Sequence, residues 1–202
     1  MAVIHIRNKE VQIKIVYVGP GRGGKTTNLE YIFKKIRHRI LSDMVSIKTH
    51  GDRTLFFDFL PFDLGQIHGY RIKTQLYTVP GQVKYNATRK LVLKGVDGIV
   101  FVADSMNVMR EKNILALQNL EENLAFYGID LYDHFPLVMQ YNKRDLGADG
   151  IPLLDIETMD QDLNARLKAP RFEASALVGD NVIPTVKKAI STTIVSLQDQ
   201  LA

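Results

Sequence analysis

The chain has no cysteine, which excludes disulfides, thiolate zinc sites, a thiol nucleophile and a prenylated C-terminal tail. Nowhere does it hold the roughly 20 uninterrupted apolar residues of a membrane span. Its first residues, Met1-Ala2-Val3-Ile4-His5-Ile6-Arg7, lack the basic start and apolar run of a secretory signal, and Ala2 stands where myristoylation needs glycine. No internal repeat, low-complexity tract or linker interrupts the pattern. A strong excess of one charge is missing too. With 26 Lys and Arg against 22 Asp and Glu, the net charge is +4, too small and scattered to imply nucleic acid or anionic lipid as a partner. The densest basic run, residues 34–39, suits the end of a helix, where cations meet the negative end of the dipole. These absences predict a cytoplasmic chain with no direct membrane anchor. What remains is 202 residues, 46% hydrophobic and 24% charged, the balance of a single α/β domain over 1–202 that can bury its own core.

Residues 11–18 alternate and then run apolar, as a strand entering a buried sheet does, and they stop at Gly19-Pro20-Gly21. From Lys25 the period lengthens, with Leu29, Ile32, Phe33 and Ile36 on one helical stripe. Residues 3–7 predict an extra N-terminal hairpin strand, turning at Asn8-Lys9-Glu10. Strands over 55–60 and 70–79, joined by a 61–69 connection, predict a second hairpin. Then come a strand over 96–104, a helix over 111–127, a strand over 135–141, a weaker helix over 157–167, a short strand over 171–174 and a helix over 182–201. This alternation predicts an α/β fold with a mixed, mostly parallel central sheet flanked by helices, the early hairpin supplying an antiparallel edge.

Gly19-Pro20-Gly21-Arg22-Gly23-Gly24-Lys25-Thr26 fits G-x-x-x-x-G-K-[ST] in full and lies between a predicted strand and a predicted helix. Its glycines let backbone N–H groups converge on phosphate oxygens, Lys25 reaches the outer phosphates, and Thr26 offers a hydroxyl to Mg²⁺. The motif marks a P-loop NTPase without choosing the base. Asn142-Lys143-Arg144-Asp145 follows an apolar strand, at the sheet end where ligands bind. A carboxylate at Asp145 can accept two hydrogen bonds from N1–H and the 2-amino group of guanine. Alone, the tetrapeptide reads more readily as a solvated turn. Together with the phosphate loop and with Glu173-Ala174-Ser175-Ala176 it points to guanine.

These motifs resemble the Ras-like small GTPases over nearly the whole chain. At Thr78-Val79-Pro80-Gly81-Gln82 most of that superfamily has Asp-x-x-Gly, whereas here Thr78 takes the aspartate's place. With 51–59 and the N-terminal hairpin, this is similar to the MglA-type bacterial GTPases of gliding and twitching motility. The resemblance implies a Ras-like G domain that hydrolyses GTP to GDP. In it Gly19, Gly21, Gly23, Gly24, Lys25, Thr26 and Thr27 hold phosphates, and Thr54 and Gly81 contact the γ-phosphate. Asn142, Lys143, Asp145, Ser175 and Ala176 hold the base, although Leu177 stands where a lysine is often found. It further implies Mg²⁺ on Thr26 and Thr54, Gln82 orienting the attacking water, and Arg53 as an arginine finger supplied in the same chain. Its implied partners are an MglB-like roadblock homodimer as activator and polarity or motility effectors bound in the GTP state. The chain alone would be a monomer, recruited to a cell pole indirectly.

Plainer readings stay open at several positions. Arg53 beside Asp52 also reads as a surface ion pair, and Gln82 after Pro-Gly as a turn residue. Asp58 reads as the wet face of an edge strand or as help for a metal site that lacks its usual aspartate. Phe56, Phe57, Phe59 and Phe62 read as core or partner surface. Because Thr78 cannot attract metal-bound water as a carboxylate can, feeble intrinsic turnover and dependence on an activator are expected. A nucleotide-dependent scaffold with negligible hydrolysis is the alternative. A metabolic P-loop kinase is disfavoured, since Asn142 to Asp145 would then be idle.

Overall fold

Strand β2 (Glu10–Val18) sets the architecture. Its odd residues Val11, Ile13, Ile15 and Tyr17 enter one core, while Val16 and Val18 enter a second on the opposite face. Gln12 and Lys14, on that second face, stay half-exposed, and β6 (Gly98–Asp104) pairs with β2 from Ile15 onward. The computed structural model describes residues 3–5, 9–36, 44–46, 58–67, 69–81 and 85–201.

Among the described residues, eight strands form one sheet. Those not yet introduced are β1 (Val3–His5), β3 (Val45–Ser46), β4 (Asp58–Ile67), β5 (Tyr70–Thr78), β7 (Leu137–Asn142) and β8 (Arg171–Glu173). Their order is β3-β4-β5-β2-β6-β7-β8, with β1 antiparallel on the first half of β2. The run β5-β2-β6-β7-β8 is parallel, and β3-β4-β5 forms the antiparallel edge. This is the Ras-like P-loop arrangement with the expected extra N-terminal hairpin strand. Helices α1 (Lys25–Lys35) and α5 (Val182–Leu201) cover the face holding Ile13, Ile15 and Leu76. Helices α2 (Asn86–Leu93), α3 (Arg110–Ala125) and α4 (Ile156–Leu163) cover the face holding Ile99, Phe101 and Met139.

Two expectations are corrected. The 61–69 connection is mostly strand: β4 runs through Pro61 to Ile67, pairing Pro61 with Gln75 and Phe62 with Thr74. Among the described residues, β3 pairs with Asp58 and Phe59 and none pairs with Pro61 on that side, the kind of sheet position where a missing N–H is tolerated. A bulge between Asp63 and Gly65, tied by Gly65 N–H donating to Asp63 Oδ1 at 2.7 Å, then carries the strand onward. The expected start of that strand at 55–57 lies outside the described residues. The second correction is α2, in a stretch left without an element. Arg89, Val92 and Leu93, all buried, share one helical face there. Helix ends elsewhere shift by a few residues, with α4 stopping at Leu163 instead of 167.

Candidate nucleotide site

The five parallel strands deliver their carboxyl ends to one side of the sheet, where loop sites in such folds lie. The loops after β2, β5, β7 and β8 carry every described member of the expected nucleotide site.

The phosphate loop closes as Gly23 N–H donates to Pro20 O at 3.2 Å. Lys25 is buried and donates from Nζ to Gly19 O at 3.0 Å and Pro20 O at 2.7 Å, so its charge is folded back across the loop. Helix α1 starts at Lys25 with no side-chain cap on Gly24. Its first-turn N–H groups and positive dipole end are thus offered to an anion. Thr26 is exposed at this end, and Thr27 is half-buried beside it.

Asn142, at 1% exposure, joins the two halves of the site. Its Nδ2 donates to Gly23 O and its Oδ1 accepts from Ala176 N–H, each at 2.8 Å. A Cβ on Gly24 would lie 2.2 Å from that Nδ2, and Gly24 has φ +99°, so both contact and backbone demand glycine there. Lys143 takes a left-handed conformation with φ 70° and sends Nζ to Asp104 Oδ2 at 2.6 Å. Asp104 is fully buried at the end of β6, where Asn113 of α3 pins its backbone: Oδ1 accepts from Asp104 N–H and Nδ2 donates to Asp104 O. Arg144 N–H donates to Ala174 O, closing the base loop onto β8. Together Gly24, Thr27, Asn142, Lys143, Asp145, Ala176 and Leu177 line a cavity of about 300 Å³. Ser175 is buried next to Ala176.

A second cavity of about 450 Å³ lies on the other side of the phosphate loop, between Gly19 to Arg22, Gly81 and the α3 residues Lys112, Leu115 and Asn119. Arg22 borders both cavities. Gly81 packs so closely on the loop that a Cβ would lie 2.3 Å from Gly21 N. Thr78 is buried at the end of β5. Asp58 stands one residue before the Phe59–Tyr77 pair, level with Thr78 in register. Its side chain lies outside the described residues, as do Arg53, Thr54, Gln82, Phe56 and Phe57, whereas Phe62 is core.

Arg89 of α2 was not foreseen as a site residue. Burial lowers its guanidinium pKa below the ordinary arginine value. It donates from Nε to Asn119 Oδ1 at 2.8 Å and from NH1 to Pro80 O at 2.9 Å. Its helical spacing with Val92 and Leu93 was the available signal, because a charged residue sharing a buried face asks for a polar partner.

No family model matches the chain. It is 47% identical over 198 residues to the mutual gliding-motility protein MglA of Myxococcus xanthus (strain DK1622), covering 98% of each chain. The chain belongs to the MglA family. A more distant likeness, 25% over 139 residues, links it to the uncharacterized protein MJ1339 of Methanocaldococcus jannaschii, covering 69% of this chain and 75% of that one. The match spans 198 of the 202 residues and so takes in both the phosphate loop and the base loop. Among the described residues, no helix is long and apolar enough to cross a membrane.

Proposed function

We propose that this MglA-family chain is a GTP-binding switch that hydrolyses GTP to GDP, slowly alone and faster with an MglB-type roadblock dimer, and that it regulates cell polarity and motility. One observation carries the nucleotide reading. Asn142 bridges the phosphate loop and the Ala176 loop, so a phosphate subsite and a base subsite with Asp145 on its wall are held as one unit. The motility reading draws on the name of the Myxococcus xanthus relative.

A metal carried on phosphate oxygens needs only one or two protein oxygens and keeps waters. The exposed Thr26 beside Lys25 suits that role, with Thr54 as the second candidate. Mg²⁺ would supply charge neutralisation at the phosphates. The chain's own residues do the rest: Lys25 draws charge from the outer phosphates, the N–H groups of the loop and α1 hold their oxygens, and Gly81 donates its N–H to the γ-phosphate. Gln82 orients the water, and Arg53 offsets charge on the leaving oxygen once a partner brings it in. A properly inserted arginine accelerates such reactions by about 10³ to 10⁵, which is why slow basal turnover is expected.

Single-turnover hydrolysis with and without a roadblock-type dimer tests this. Acceleration that disappears in Gln82→Leu supports the switch. Tight GTP binding with no acceleration favours a nucleotide-dependent scaffold, a second reading motivated by Thr78, buried where a carboxylate is usual. Preference for ATP over GTP would remove both.

A further inference from the structure

We propose that Arg89 is a positioning residue for the peptide between Pro80 and Gly81, and that through it Arg89 sets the preference for guanosine triphosphate over diphosphate. This rests on the nucleotide reading above. The peptide is planar and trans, so its N–H points opposite to its C=O. Whatever fixes the Pro80 carbonyl therefore fixes the Gly81 N–H, the donor assigned to the one phosphate that distinguishes GTP from GDP. Arg89 NH1 holds that carbonyl at 2.9 Å.

The guanidinium is itself held from behind. Its Nε donates to Asn119 Oδ1, which also accepts from Asn123 Nδ2 at 3.0 Å, and that same Nδ2 reaches Asn86 Oδ1 at 2.9 Å. Asn119 and Asn123 belong to α3, and Asn86 opens α2. Arg89 is only 5% exposed and Asn123 is fully buried, so few waters compete for these bonds. Gly81 is wedged against Gly21 from the other side. The N–H is thus set in direction by α2 and α3 and in position by the phosphate loop. A donor ordered before its ligand arrives loses less freedom on binding than a loose one.

The test compares affinities of labelled GDP and a non-hydrolysable GTP analogue. Arg89→Gln is expected to keep GDP binding within about twofold and to weaken the analogue by about tenfold, the scale of one lost hydrogen bond to a charged group. Arg89→Lys, which keeps a charge but not both directions of donation, should recover part of that ratio. A purely structural role would weaken both nucleotides alike. An unchanged ratio overturns the proposal, and so does a shift in favour of the analogue. Should Arg89→Gln fail to fold by circular dichroism, Asn119→Ala removes the rear anchor and should move the ratio the same way by a smaller factor; no movement there overturns it equally. A wild-type chain that binds neither nucleotide would instead remove the proposed function. A wild type that discriminates while Arg89→Gln keeps the same ratio removes only the role of Arg89.

Discussion

At the base end of the site, the Asn142 amide is held on both sides by buried bonds, and Lys143 is anchored on a fully buried carboxylate. At the switch end, among the described residues, the backbone of Pro80 is held through one carbonyl by the Arg89 side chain, and Gly81 packs against Gly21. On the proposed function both ends would meet one ligand, yet the first is built into the ends of β6, β7 and β8, while the second lies between β5 and α2. Such a contrast suits a switch. On the proposed function the base is the same in both nucleotide states and would gain from a seat with several anchors, whereas the γ-phosphate comes and goes and would be met by one N–H whose direction rests on a single side chain.

The contrast can be broken hardest at the loop that both ends share. Lys25→Ala removes the buried ammonium and should weaken GDP and GTP together by about 100-fold or more, as losing a charge-assisted contact to phosphate does; equilibrium titration with labelled nucleotide checks it. Asp145→Asn comes next. It should weaken GDP by about 30-fold or more while costing inosine diphosphate less, since inosine lacks the 2-amino group that the carboxylate accepts from. An equal loss for both bases would take Asp145 out of base recognition. Asn142→Ala breaks two buried hydrogen bonds and should lower unfolding stability by about 2–4 kcal/mol even without nucleotide, measured by urea denaturation. A stability change near zero would mean that the base end is not prebuilt.

The smallest effect lies outside the site and serves as a control. Asp155 caps α4, its Oδ1 accepting from Thr158 N–H, and that bond, with the Thr158 hydroxyl, holds its carboxyl below the usual aspartate range. A depressed folded-state pKa contributes stability above the unfolded value and loses it as pH falls through the folded value. Asp155→Ala should therefore lower the melting temperature slightly at neutral pH, the difference from wild type shrinking as acid protonates the cap. Nucleotide affinity should not move.

Much of this was legible in the chain itself, for reasons particular elements show. The phosphate loop was readable because its glycines and lysine are fixed by backbone geometry that few other residues satisfy. The long C-terminal helix was readable because Ile183, Val186 and Ile190 repeat at helical spacing and all pack into one core. Strand β4 was misplaced because Pro61 and Gly65 are ordinarily turn residues, and only the pairing with β5 shows that an edge position accepts them. Arg89 went unseen because its meaning lies in two partners, one 9 residues earlier and one 30 residues later. Distant hydrogen bonds between unlike elements leave no periodic trace.

Strand β4 carries a last consequence. Among the described residues its pairing with β3 ends at Phe59, and beyond that point come a residue with no amide hydrogen and an irregular step at Asp63 and Gly65. A second molecule trying to extend the sheet there would meet a row of broken teeth. Among the described residues, this stretch of β4 is thus a poor template for one more strand.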